Sequence, residues 1–408
     1  MIVSSFSKKA IDSWWFPILF GLFTFSNLTD YLSSHMGLPF SMPELFFMLF
    51  YLYDRKNKIK VFLPEGELHF VVIICMLFFC LGLTNFDFTI YGIVNTLRVH
   101  LYIMLFFILF RHNSIFNLKF LFKLSLGVVL GTMIVAYFTL QYRLGITSNK
   151  EWAINSNIIA VTFLVAIAIL KGNWMQNTLV FMLAFITCFL SASRGVIVFY
   201  ALSYVIALSL KISTNRKNIL FIPLMLLAVW GILNSVNYLE PVVQDISPTM
   251  HHRLYTKTQD NINQESTSSD DMRFSNIIYI LEQIPNRILP SGFVDKSQVE
   301  KLPLELWSLR DLPFNELLYM YGTLVLLILY LIYIRKSAGL LLKFYTKGDN
   351  VYGVLFVSSV VFFIAVFIGG GLLERAYFSP FIGIFLGMSF KRPDNRVAMA
   401  RQMMKSFV

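Results

Sequence analysis

What this chain can fold into is set first by its apolar runs. Twelve stretches, centred near residues 23, 46, 76, 99, 129, 161, 183, 203, 227, 324, 362 and 383, have the length and apolarity of a bilayer-crossing helix. In lipid, a helix satisfies its backbone N–H and C=O groups within its own segment, so these runs predict an all-α polytopic membrane protein. Composition agrees: 57% of residues are hydrophobic and only 14% charged, where a soluble domain carries about 25% charged residues. Pro39 and Pro43 interrupt the second stretch, and the seventh and eighth are short. The start "MIVSSFSKKAIDSWW" reads as Lys8 and Lys9 ahead of an uncleaved first span.

Charge then orients the spans. With loops assigned alternately to two sides, one side collects Lys8 and Lys9, "DRKNKIK" (54–60), Arg111, Lys119, Lys171, "KISTNRK" (211–217), "RKSAGLLLKFYTK" (335–347) and "KRPDNRVAMARQMMK" (391–405). That is most of the 34 Lys and Arg, so the positive-inside rule makes this side cytoplasmic, with both termini on it. The net charge of +11 is therefore mainly topological. Basic residues scattered over short loops build no nucleic-acid-binding surface. Cys75, Cys80 and Cys188 all fall within spans, which argues against a disulfide framework and against a zinc site.

Three regions result. Residues 1–236 form a membrane bundle of about nine helices, 237–312 form a long periplasmic loop, and 313–408 supply about three more helices and a cytoplasmic tail, all within one integrated membrane domain. A loop of this length in a compact protein is functional or disordered. Its centre, "TKTQDNINQESTSSDD", is polar, whereas "MRFSNIIYILEQI" places apolar residues at 274, 277, 278 and 281, the spacing of an amphipathic helix.

The stretch "FLSASRGVIVFY" (189–200) sets one arginine between two apolar runs. The topology puts Arg194 at the extracytoplasmic mouth of the bundle, where a lone arginine can snorkel to lipid headgroups. Other facts point further. The same side carries Arg253, Arg273, Arg287, Arg310 and Arg375, a surplus where few basic residues are expected. Arg194 and Gly195 also open a helix, whose free N–H groups and dipole favour an anion, with Ser191 and Ser193 as nearby donors. Arginine's planar fork suits a phosphate. A lipid whose phosphate headgroup faces outward is the matching ligand.

"FLSASRGVIVFYALSYVIAL" resembles the Ser-Arg-Gly signature of the Wzy_C superfamily of bacterial O-antigen polymerases and ligases. The loop extends the likeness: "MRFSNIIYILEQIPNRILPSGF" is similar to the family's arginine, amphipathic helix, proline and glycine pattern, with Arg273, Pro290 and Gly292 in the matching places. "RDLPFNELLYMYG" resembles the segment entering the next span, ending at Gly322. The likeness covers about residues 175–335. Ligases carry a histidine about eleven residues before that glycine; here the position holds Asp311, which favours a polymerase.

The resemblance implies a GT-C-like membrane fold of about twelve helices with short helices in its periplasmic loop, in the bacterial inner membrane, with an active site facing the periplasm. It implies an enzyme that moves a growing glycan from undecaprenyl pyrophosphate to the non-reducing end of a second undecaprenyl-pyrophosphate-linked repeat unit. Donor, acceptor and membrane lipids are the expected partners, with a Wzz-type chain-length regulator beside them. The leaving group is already a stable anion, so the enzyme has to neutralise its charge, align two lipids and take a proton from the attacking hydroxyl. Arg194 and Arg273 are the expected pyrophosphate ligands, with Arg375, Arg253 and Ser193 supporting.

Asp311 and Glu374 are candidate bases, and Glu374 reads equally as an ion-pair partner of its neighbour Arg375. No acidic metal-binding pair is evident, so neither metal nor cofactor is expected. "GGG" (369–371) reads as a helix break or as a packing site, and "GVVLG" (127–131) as helix packing. Arg98 and His100, inside the fourth span, should face protein or a cavity. The alternatives are a ligase transferring the glycan to lipid A core, and a flippase for lipid-linked oligosaccharides. The flippase fits less well: no repeated halves are visible, and the charges sit at span mouths rather than at the membrane midplane.

Overall fold

The computed structural model describes residues 15–26, 28, 64–84, 90–113, 117–138, 157–172, 174–190, 194–214, 231, 234, 238–246, 251, 282, 284–294, 313–368 and 379–390. Every regular element among these is a helix. In chain order they are α1 (Trp15–Thr24), α2 (Glu65–Gly82), α3 (Ile90–His112), α4 (Leu118–Phe138), α5 (Ile158–Lys171), α6 (Trp174–Leu190), α7 (Arg194–Ser213), α8 (Glu240–Ile246), α9 (Pro313–Lys347), α10 (Asn350–Ile368) and α11 (Ser379–Ser389). Six of them, α2, α3, α4, α7, α9 and α10, contain segments long and apolar enough to cross a membrane. Helices fall on ten of the twelve expected centres; those near 46 and 227 lie outside the described residues.

The bundle is organised around α5. Residues 158–170 are buried without exception, the pattern of a helix surrounded by others rather than lying on a surface. It packs against α4, α6, α7, α10 and α11. Its Asn157 caps it, the side-chain oxygen accepting from the Ala160 N–H at 3.1 Å. Thr162 on α5 and Ser203 on α7 share a hydrogen bond of 2.9 Å in the core, and each hydroxyl also reaches the carbonyl four residues before it. By contrast, α2 and α9 present Phe70, Ile73, Met76, Leu324, Leu327, Ile328 and Leu331 outward. Contiguous apolar surface of this kind is what lipid covers.

Small residues set the closest helix contacts. Along α4, Gly127 faces the Ile18 carbonyl and Gly131 faces Ser26, while Gly21 of α1 faces the Leu124 carbonyl, so "GVVLG" packs α4 directly on α1. Gly383 and Gly387 of α11 do the same against α3, meeting the carbonyls of Ile103 and Phe107. A β-carbon at Gly21, Gly127, Gly383 or Gly387 would collide with backbone, and one at Gly131 with the Ser26 side chain, and this is why glycine is used. Both pairs run parallel. The helices α9 and α10 instead form an antiparallel hairpin, turning at Gly348 with φ +64°. It is zipped by aromatic contacts from Phe314–Phe367 at 4.7 Å to Tyr333–Phe362 at 6.2 Å.

Among the described residues, Lys119, Lys171, Lys211 and Lys347 lie at one end of the bundle. There Asn350 donates to the Leu170 carbonyl at 3.0 Å, Lys211 donates to the Ile169 carbonyl at 2.6 Å, and Ser213 meets the Tyr345 hydroxyl at 2.9 Å. Glu67 pairs with His112 at 2.9 Å and Arg111 at 3.7 Å, fixing the start of α2 to the end of α3. Arg194 begins α7 at the opposite end, with Lys211 near the other terminus; a twenty-residue helix is roughly 30 Å long, the thickness of a bilayer core.

Candidate functional site

The end of the bundle that bears Arg194 also receives residues 287–294 of the 237–312 segment. Residues 287–294 run as an irregular strand laid between α2, α3 and the start of α9. The Ser291 N–H donates to the Tyr319 carbonyl at 3.1 Å, and the Gly292 N–H to the Met320 carbonyl at 3.4 Å. Phe293 then donates to the Phe78 carbonyl on α2 at 3.0 Å. Thr96 of α3 donates its hydroxyl to the Val294 carbonyl at 3.1 Å. Each bond satisfies a backbone group that could not be left bare in an apolar setting.

Two glycines make this possible. Gly292 has φ +84°, and a β-carbon there would lie 2.5 Å from the Phe78 carbonyl oxygen. Gly322 has φ +71° and ψ 165° and breaks α9 into two helical pieces. A β-carbon on it would lie 2.6 Å from the Ile288 carbonyl oxygen. Each position therefore needs glycine for its backbone angle and for its lack of room. The break leaves the next residue, Thr323, facing the strand: its N–H donates to the Arg287 carbonyl at 2.8 Å, and its hydroxyl reaches the Ile284 carbonyl at 2.5 Å.

Around this lock lies a buried polar group. His100 is 5% exposed and stacks on Phe293 at 4.5 Å with an interplanar angle of 9°. Asn315 and Glu316, in the first turn of α9, are buried. Half-buried Tyr321 meets Phe78 of α2 edge-on, their ring centroids 5.2 Å apart. The Arg287 guanidinium sits 5.0 Å above the Tyr319 ring. In the sequence "FNELLYMYG" reads as the apolar entry to a span, and the one signal of Glu316's burial is a carboxylate six residues before the glycine. An acidic side chain in a helix's first turn also stabilises that helix.

Of the residues expected to do chemistry, Arg194 is the first residue of α7, and its side chain lies outside the described residues. Ser193, Arg253, Arg273, Asp311, Glu374 and Arg375, with the "GGG" segment and the expected helix over 274–281, lie outside them too. What comes together are three residues singled out in the sequence: Pro290, Gly292 and Gly322 belong to one junction. His100 faces protein, one of the two surroundings, protein or a cavity, that its place inside a span allows. Among the described residues, no three His, Cys, Asp or Glu side chains converge as a metal site. Set against known proteins, the chain matches no family model and no curated sequence.

Proposed function

We propose that this chain is a twelve-span, GT-C-like polymerase of lipid-linked glycans of the O-antigen type, in the bacterial inner membrane with both termini cytoplasmic. It takes a glycan from undecaprenyl pyrophosphate and joins its anomeric carbon to a hydroxyl of a second lipid-linked repeat unit. The anomeric C–O bond breaks, the pyrophosphate leaves as an anion, and the hydroxyl proton passes to a carboxylate, Asp311 or Glu374. Arg194 and Arg273 neutralise the leaving group, with Arg375, Arg253 and Ser193 beside them.

The observation that supports this reading is the lock of Gly292 and Gly322. Two separated pieces of one motif share backbone hydrogen bonds at the end of the bundle where α7 begins with Arg194. Such a lock holds residues 287–294 against the bundle, and a site built on that segment needs a fixed anchor of this kind. Asp311 in place of histidine favours polymerase over ligase.

The test is deletion of the gene in its host, with lipopolysaccharide resolved on a gel. A polymerase loss leaves a single added repeat unit in place of the ladder. Core alone indicates a ligase or a flippase, and a periplasmic lipid-linked polymer then singles out the ligase. Complementation with Arg194→Ala should give normal membrane insertion without a ladder; a full-length ladder from that variant would sink the assignment of Arg194.

A further inference from the structure

At the opposite, lysine-rich end, two adjoining cavities open, one among α4, α5, α9 and α10 and the other among α4, α5 and α6. One, of about 760 Å³, lies between the starts of α4 and α10 and the ends of α5 and α9. The other, of about 560 Å³, runs between α4, α5 and the start of α6, sharing Leu118, Lys119 and Lys171 with the first. Four lysines line the pair: Lys119, Lys171, Lys347 and the buried Lys123. The single carboxylate in either lining is Asp349, and one of its oxygens accepts the Val351 N–H at 3.0 Å to cap α10. Among the described residues, no carboxylate pairs with Lys119 or Lys171.

The helix ends add to the positive potential. Both α4, capped by Asn117 at 3.1 Å, and α10 direct their amino termini at the first cavity. Positive-inside topology explains lysines at helix ends but not their convergence on shared empty volume. The second cavity supplies the other half of an amphipathic ligand: Phe122, Ile167 and Ala168 form an apolar wall that leads from the lysines into the bundle.

We propose that these cavities bind a phosphate-bearing anion, the headgroup of an anionic phospholipid of the inner leaflet, with its chain against the Phe122 and Ile167 wall. Basic pockets between membrane helices on the cytoplasmic side hold such headgroups through charge-assisted hydrogen bonds. The site is separate from the chemistry at the Arg194 end, its assignment to the inner leaflet rests on the proposed orientation, and its expected role is to tie α4, α5, α9 and α10 together at that end.

The test uses the full-length protein in neutral detergent, with cardiolipin as probe and phosphatidylcholine as control, bound lipid being read by native mass spectrometry. The wild type should retain cardiolipin over phosphatidylcholine. The triple variant Lys119→Gln, Lys171→Gln, Lys347→Gln should bind cardiolipin roughly 100-fold more weakly, while Lys336→Gln, outside the cavities, matches the wild type. The corresponding triple arginine variant should restore binding, and the single Lys171→Gln should weaken it about fivefold, which keeps the test open should the triple variant fold poorly. Inorganic phosphate that displaces cardiolipin, and whose own binding disappears in the glutamine triple, would assign the site to a soluble phosphate. Equal cardiolipin affinity in the wild type, the glutamine triple and Lys171→Gln overturns the proposal.

Discussion

Replacing Gly322 by alanine tests the lock between the 287–294 strand and the broken start of α9. At φ +71° and ψ 165° the residue sits where L side chains are almost never found, and forcing one there costs about 1–3 kcal/mol. The new β-carbon would also lie 2.6 Å from both the Ile288 carbonyl oxygen and the Leu289 carbonyl carbon, backbone atoms that have no rotamer to escape into. Relief requires the strand to lift, which surrenders the Thr323 to Arg287 and Ser291 to Tyr319 hydrogen bonds, at about 1 kcal/mol each. Together these come to roughly 3–5 kcal/mol, a large share of a typical folding stability.

Thermal unfolding of the purified protein in detergent, followed by size-exclusion chromatography, reads the effect. Gly322→Ala should melt roughly 5 °C or more below the wild type. Gly339→Ala is the control: it lies in the same helix with nothing within 4 Å of the added methyl, and should be neutral or stabilising by up to about 1 kcal/mol. Equal melting of Gly322→Ala and the wild type would refute the strain argument. An equal loss in both variants would refute the local lock.

Two further outcomes check the bundle. Thr162→Val and Ser203→Ala together should form a double-mutant cycle with a coupling of about 0.5–1.5 kcal/mol, because each hydroxyl is the other's partner across α5 and α7; strict additivity in thermal unfolding would contradict the contact. Gly127→Leu should abolish the monodisperse folded protein, since the side chain would enter the α1 backbone at Ile18; a normal size-exclusion profile would show that α1 and α4 do not pack this way.

The helical class was legible because the demand is local. Any apolar run that enters lipid must close its own hydrogen bonds, so a helix can be read from about twenty consecutive residues without knowing its neighbours. The packing role of "GVVLG" was legible for a similar reason, since small residues four apart share one helix face. His100 could be placed against protein because a polar ring cannot face lipid cheaply. Glu316 was not legible as buried: its neighbours are those of any span entrance, and its burial comes from the arrangement around the start of α9.

By itself, then, the sequence determined that the chain is a helical membrane protein and where most of its helices lie. The tertiary structure decided what those helices do to one another. Ser291 meets Tyr319 and Phe293 meets Phe78 across 28 and 215 positions of chain, and no periodicity within either segment encodes the partner. The same holds for the four lysines, contributed by three helices, that converge on two cavities. Hydropathy is a property of each segment, whereas convergence is a property of how packed helices and positive-φ glycines bring segments together.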